Sequence, residues 1–129
     1  MKNILVIGGG PYQVPLIKRI VDQGNRAFCV DGNPNAMGFA YATESKNIDV
    51  LDKEACLAYA REINIDAVMT YGATLTLPTV SYIGTKLGLP VLPLQTAEIS
   101  KSKYQIKDCL AKHGCNIKGN FFEMHSPTD

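Results

Sequence analysis

Residues that bind metals or form disulfides are scarce in this chain of 129 residues. It contains no tryptophan, two histidines and four cysteines. The cysteines are Cys29, Cys56, Cys109 and Cys115. They form no Cys-x-x-Cys pair, and His113 and His125 both lie late in the chain. This spacing matches no zinc motif and argues against a disulfide framework, so we expect reduced thiols and no metal site.

An excess of charge and a long apolar run are also missing. Thirteen basic and twelve acidic residues give a net charge of +1, which provides no reason to expect nucleic acid or an anionic membrane as a partner. No apolar run approaches the ~20 residues of a membrane span. The N-terminus lacks the order of a signal peptide, because Lys2 and Asn3 lead directly into a strand. We therefore expect a cytoplasmic globular domain.

The chain does have a strand–glycine turn–helix–strand unit at its start. Lys2–Ile7 is an apolar run rich in Ile and Val, which is typical of a strand buried on both faces. Gly8–Gly10 follow at once, and then a helical pattern runs over residues 14–21. Arg26–Val30 is a second apolar strand that ends at Asp31. This unit opens a doubly wound α/β domain.

Strands and helices continue to alternate along the chain. Further strands are predicted at Lys46–Ile48, Ile65–Thr70 and Leu89–Leu92, and further helices at Lys53–Ile63, Leu77–Leu87, Gln95–Ser100 and Lys103–His113. Asp52 and Ser102 are suited to cap two of these helices. The alternation with short connections predicts an α/β fold over residues 1–115, a Rossmann-like three-layer α/β/α domain with a parallel sheet of about four or five strands.

Residues 116–129 form a separate tail. Phe121–Met124 has strand character, but no hairpin partner follows it. Either this strand folds back onto the domain or the natural protein continues.

The glycine turn and Asp31 are the first candidate site residues, because ligands in such sheets bind at the carboxyl ends of the strands. The turn reads G-x-G-x-x-Q, with Gln13 where the dinucleotide fingerprint has its third glycine. It can offer backbone N–H groups to an anion, or it can simply connect strand to helix. Asp31 can accept a bond from a ribose hydroxyl, or it can cap the turn that follows.

Later residues offer three further candidates. Gly72 and Thr74 follow the strand predicted at Ile65–Thr70, where they could line a site, although Thr74 could instead cap the next helix. Lys103 lies in a basic stretch, which usually marks a solvated helix face. No nucleophile, base and orienting group occur together, so no catalytic residue is predicted.

Four stretches together resemble the N-terminal domain of ATP-grasp enzymes, and in particular are similar to the large subunit of carbamoyl-phosphate synthase. They are KNILVIGGGPYQVPLIKRIVDQG, VDGNPNAMGFAYA, IDAVMTYGATLTLPTVSYIGTKLGLP and SKSKYQIKDCLAKHG. The resemblance runs in order from Lys2 to about Glu123.

This resemblance implies a function and a set of site residues. ATP-grasp ligases activate a carboxylate as an acylphosphate, which an amine or ammonia then attacks. Their N-terminal domain helps to bind the small-molecule carboxylate, while ATP and Mg²⁺ are held mostly by two later subdomains. The implied substrate-side residues are Gly8, Gly9, Gly10, Tyr12, Asp31, Gly72 and Thr74. Lys103 is implied to contact an ATP phosphate.

The resemblance also implies that a domain is needed beyond these residues. The ATP-binding subdomains would begin near Phe121, in cis or on another chain, so this fragment should neither hold ATP tightly nor turn it over alone. A homodimer is compatible with this interpretation. Two alternatives stay open. One is a free-standing nucleotide- or dinucleotide-binding module using Gly8, Gly10 and Asp31, and the other is a non-catalytic interaction domain pairing through Phe121–Met124.

Overall fold

One parallel sheet forms the centre of the chain. The computed structural model describes residues 1–115, 122 and 124–126. The strands are β1 (Asn3–Ile7), β2 (Arg26–Asp31), β3 (Glu44–Asn47) and β4 (Ala67–Met69). They lie in the order β3-β2-β1-β4, and every pair is parallel. The predicted α/β, Rossmann-like fold with about four or five strands is therefore confirmed.

Helices cover both faces of this sheet. They are α1 (Val14–Asp22), α2 (Lys53–Glu62), α3 (Leu77–Leu87), α4 (Leu94–Ile99) and α5 (Lys103–Lys112). Val6 and Cys29 pack with Ile17 of α1 on one face. The residues that alternate with them in β1 and β2 pack against α2 and α3 on the other face. Both faces are covered, and the residues of β1 and β2 between their polar ends are all apolar, as the sequence pattern indicates. Among the helices of the described residues, none is long and apolar enough to cross a membrane.

Two helix caps are found where the sequence predicts them. The side chain of Asp52 accepts a hydrogen bond from the Ala55 N–H at 3.0 Å, at the start of α2. The hydroxyl of Ser102 accepts one from the Gln105 N–H at 3.2 Å, at the start of α5. Local capping chemistry therefore determines where both helices begin.

The strand predicted at Leu89–Leu92 is wrong. This segment is irregular, and Pro90 deprives it of an N–H group that a strand needs for its ladder. Leu89 and Val91 pack instead against the core cluster to which α3 contributes Val80 and Ile83. A Cβ placed on Gly84 would lie 2.2 Å from Val91 Cγ1, so the glycine makes room for this contact. Close packing, rather than strand pairing, holds the segment.

Two other strand boundaries differ from the predictions. β3 covers Glu44–Asn47 rather than Lys46–Ile48, and β4 covers Ala67–Met69 rather than Ile65–Thr70. All four residues of β3 are exposed, so no apolar periodicity marks its start. The strand predicted at Phe121–Met124 falls largely outside the described residues, where Phe121 and Glu123 lie, and the tail over residues 116–129 stays a prediction.

Candidate functional site

Three loops meet at the carboxyl edge of the sheet. We call them the glycine turn (residues 8–13, after β1), the β2 loop (residues 32–38) and the β4 loop (residues 70–76). The Gly8 N–H donates to the Val30 carbonyl at 2.8 Å, and the Thr70 hydroxyl donates to the Ile7 carbonyl at 2.8 Å. These bonds fix the ends of three adjacent strands relative to one another.

Asp31 joins the glycine turn to the β2 loop. Its Oδ2 accepts a hydrogen bond from the Gly9 N–H at 2.7 Å, and its Oδ1 accepts one from the Asn33 N–H at 2.8 Å. Bonds to an ionised carboxylate are among the stronger hydrogen bonds in proteins. Asp31 therefore caps the turn that follows it, which is one of its two predicted roles. A role towards a ligand stays a prediction.

Gly9 is enclosed by the protein. Its carbonyl accepts a hydrogen bond from the Gly38 N–H at 2.7 Å, so its N–H and its carbonyl both bind other parts of the chain. A Cβ placed on Gly9 would lie 3.0 Å from Cys29 Sγ and 3.2 Å from Ala36 Cβ. A Cβ placed on Gly38 would lie 2.9 Å from the Gly9 carbonyl oxygen. A side chain at Gly38 would therefore force a shift of its neighbours, and one at Gly9 would be tightly packed. The sequence pattern revealed only Gly9.

Gln13 joins the glycine turn to the β4 loop. Its side chain is only 5% exposed, and its Nε2 donates a hydrogen bond to the Tyr71 carbonyl. Its Oε1 would lie 3.2 Å from a Cβ on Gly10 and 3.6 Å from a Cβ on Gly8. In the sequence Gln13 is evident only as a departure from the dinucleotide fingerprint, and this bridge was not predicted. The available signal was a long amide in a position where a glycine would leave space.

Tyr12 and Gly72, two predicted site residues, lie in contact. Gly72 adopts a φ of +67°, which favours glycine, and a Cβ placed there would lie 3.1 Å from Tyr12 Cβ. The Tyr12 side chain is 71% exposed. The glycine turn and the β4 loop therefore share an accessible aromatic surface.

Thr74 lines a cavity of about 220 Å³ in the β4 loop. The lining residues are Thr70, Tyr71, Gly72, Ala73, Thr74 and Leu77. Thr74 is exposed and caps no helix, so the alternative prediction for it is wrong. Thr76 carries the local bonding instead, because its hydroxyl bonds to the Thr70 hydroxyl at 2.9 Å and to the Ala73 carbonyl at 2.8 Å.

Burial perturbs one ionisable group beneath this edge. Burial, and secondarily the charge of Asp31, raise the pKa of the Cys29 thiol to about 12, so this thiol stays protonated beneath the glycine turn. Within the described part of the chain, no group of three His, Cys, Asp or Glu residues could hold a metal ion.

Lys103 is not bonded to the residues of this edge in the described part of the chain. It is exposed at the first residue of α5, and no residue of that helix is buried. No hydrogen bond or ion pair among the described residues joins Lys103 to the three loops. The structure thus connects the glycine turn, Asp31 and the β4 loop, but it does not connect Lys103 to them.

The chain is similar to several longer proteins, and it spans about 30% of the length of each. It is 29% identical to the formate-dependent phosphoribosylglycinamide formyltransferase of Prochlorococcus marinus over 118 residues. These residues cover 91% of this chain and 30% of that protein. Its fold matches phosphoribosylglycinamide synthetase from Anaerococcus prevotii, with a TM-score of 0.76 and 21% identity over 88% of this chain and 29% of the other. It also matches L-amino acid ligase from Bacillus licheniformis, with a TM-score of 0.69 and 22% identity over 90% and 31% of the two chains.

No family model matches the chain. The likeness to the solved structures shows the Rossmann-like fold. Together with the curated relative, it confirms the predicted resemblance to the N-terminal part of ATP-grasp enzymes. The similarity to carbamoyl-phosphate synthase stays a prediction.

Proposed function

We propose that this chain is the substrate-side domain of a cytoplasmic, ATP-dependent ligase of the ATP-grasp type. The observation that carries the proposal is the meeting of three loops at the carboxyl edge of the sheet, in a chain similar to the N-terminal part of such enzymes. Ligands of open α/β sheets bind at this edge. The glycine turn and the β4 loop would orient a small carboxylate for activation.

The names of the similar proteins support a carboxylate as the substrate. One is formate-dependent and another is an L-amino acid ligase, so both names refer to small molecules with a carboxylate group. In this chain the N-terminus of α1 follows the glycine turn directly, and its partial positive charge favours an anion there. Within the proposal, the four sequence stretches favour a carbamoyl-phosphate-synthase-like ligase that uses an amine or ammonia as its nucleophile.

The described residues do not fit a complete site for ATP and Mg²⁺. They contain no cluster of acidic side chains that could hold a metal ion, and Lys103 is the candidate phosphate ligand among them. ATP and Mg²⁺ would therefore be held mostly by ATP-binding subdomains, in cis or on another chain. This chain's own contribution would be to bind and orient the carboxylate.

The proposal is tested on the protein isolated from its native source with whatever chain or domain accompanies it. We expect ADP formation from MgATP that depends on an added carboxylate, with hydroxylamine trapping the activated acyl group as a hydroxamate. Formate, bicarbonate and pooled amino acids are suitable first substrates. The 129-residue chain alone is the matched control and should form no ADP. Carboxylate-independent ADP formation, or none with any of the three, would contradict the proposal.

A further inference from the structure

We propose that the Gln13 side-chain oxygen, Oε1, is a specificity-determining acceptor for a hydrogen-bond donor carried by the substrate. The inference rests on the proposed function, because it assumes that the carboxylate substrate binds at the glycine turn. It adds a chemical class: the substrate carries an amino or hydroxyl group close to its carboxylate.

The orientation of the Gln13 amide is fixed by its partner. The Tyr71 carbonyl can only accept a hydrogen bond, so the NH₂ group of Gln13 must face it. A flipped amide would place two acceptor oxygens against each other. The bond to the β4 loop therefore directs Oε1 towards the glycine turn, where it would lie 3.2 Å from a Cβ built on Gly10.

Oε1 remains available to a ligand. Gln13 is 95% buried, yet in the described part of the chain its hydrogen bonding uses only the NH₂ group. No fully buried side-chain nitrogen or oxygen of the described residues lacks a hydrogen-bond partner. Oε1 must therefore keep some access to the surface. An acceptor held in a buried side chain, next to the turn and without a donor, is suited to receive one from a ligand.

This acceptor discriminates between classes of ligand. The pyrophosphate diester of a dinucleotide presents only oxygen acceptors at neutral pH, so its oxygens would face Oε1 unfavourably. A hydroxyl or an ammonium group would donate to it. Gln13, at the position where the fingerprint has a glycine, thus disfavours the pyrophosphate of a dinucleotide. It favours a carboxylate that bears a nearby hydrogen-bond donor.

The test compares two probes that differ by a single hydroxyl group. Glycolate and acetate are each titrated into the ¹⁵N-labelled full chain at pH 7, and their dissociation constants are read from the amide shifts of the glycine turn. One hydrogen bond predicts that glycolate binds about fivefold more tightly than acetate. Only glycolate should shift the side-chain NH₂ signal of Gln13.

Variants assign the preference to Oε1. Gln13→Met keeps a similar side-chain volume without the amide, so it should make the dissociation constants of glycolate and acetate equal. Gly10→Ala keeps the Gln13–Tyr71 bond and places a methyl group 3.2 Å from Oε1, so it should also remove the preference while the fold persists. Gly32→Ala is the control, because its nearest heavy atom would be Asp49 Cα at 3.8 Å. It should leave the preference unchanged.

The outcomes separate the inference from the function on which it rests. Equal binding of both probes at the glycine turn of the wild type would overturn the role of Gln13 and leave the proposed function standing. A preference that survives both Gln13→Met and Gly10→Ala would do the same. No shift of the turn by either probe up to saturating concentrations would overturn the inference together with the proposed carboxylate site.

Discussion

The carboxyl edge of the sheet and α5 differ in how firmly the rest of the chain holds them. At the sheet edge, Gly9, Asp31 and Gln13 are joined to three different loops by hydrogen bonds, and Gln13 is almost completely buried. In α5 no residue is buried, although Ser102 caps its first turn. Both regions were predicted to contact a ligand, yet among the described residues extensive contacts hold only the sheet edge.

This difference assigns two kinds of role. A preorganised edge would lose little conformational entropy if it bound a small ligand, because its loops already bond to one another. An exposed helix can contribute a single charged contact at little cost to the fold. We therefore expect substitutions at the edge to lower the free energy of unfolding of this chain. Substitutions of exposed residues in α5 should alter only the kinetics of the complete enzyme.

The reactivity of the cysteine thiols should show the largest difference between the two regions. Burial raises the pKa of Cys29 to about 12 and that of Cys56 to about 11, whereas Cys115, just after α5, is exposed. Because only the thiolate reacts, a pKa of about 12 instead of 9.0 lowers the reactive fraction of Cys29 about a thousandfold near pH 8. Iodoacetamide labelling followed by peptide mass spectrometry should modify Cys115 first, and rapid labelling of Cys29 in the native chain would contradict the contrast.

The same pKa shifts make stability depend on pH with a definite sign. The folded chain favours the protonated thiols, so this stabilisation is fully present below pH 9.0, the ordinary pKa. It should be lost as the pH rises from 9 towards 12. Urea unfolding of the wild type and of Cys29→Ala over this range should show a weaker pH dependence in the variant.

Gly38→Ala should cause the largest loss of stability among the substitutions. Its Cβ would lie 2.7 Å from Ile17 Cδ1 and 2.9 Å from the Gly9 carbonyl oxygen, which belongs to the backbone and cannot rotate away. Overpacking of this kind costs about 3 kcal/mol in the free energy of unfolding. Urea denaturation measures the loss, with Gly32→Ala in the same loop as the control. Similar stabilities of the two variants would show that the edge is loosely packed.

Asp31→Ala should lower the free energy of unfolding by about 2 kcal/mol, because it removes the acceptor of two backbone N–H groups. Asp49→Ala is a matched control, since Asp49 accepts a bond from the Leu51 N–H in a similar turn but is exposed and joins no second loop. Its loss should be about half as large or less. If the two aspartates cost the same, then the bond between Asp31 and Gly9 contributes nothing measurable.

Lys103→Ala should have the smallest effect on the fold, below about 0.5 kcal/mol, because the side chain is exposed. In the complete enzyme, loss of a phosphate contact should instead raise the KM for ATP about tenfold. Lys107→Ala, one turn further along α5, is the control and should leave this KM unchanged. An unchanged KM in Lys103→Ala would end the phosphate-contact hypothesis.

The sequence predicted those parts of the molecule that local patterns determine. Apolar runs located β1 and β2, and short polar side chains identified the caps at Asp52 and Ser102. Packing between distant residues was not predictable in this way. Val91 packs against Gly84 instead of forming a strand, and no local pattern reports that contact.

The candidate site shows the same limit. The glycine turn was evident from three consecutive glycines, and the position of Asp31 followed from strand order. The bond from Gln13 to Tyr71 was not evident, because it joins residues 58 positions apart and depends on which loops the sheet brings together. Sequence therefore predicted where the site lies better than how its loops are held.

A titration of the chain with NADH, followed by the fluorescence of the cofactor, tests the central claim most directly. Gln13 fills the position of the third glycine, which the dinucleotide fingerprint needs for close helix–strand packing. The carboxyl edge should therefore show no saturable binding of NADH up to about 1 mM, well above the micromolar range typical of specific sites. Saturation at micromolar NADH would contradict the carboxylate-site account and favour a free-standing dinucleotide-binding module.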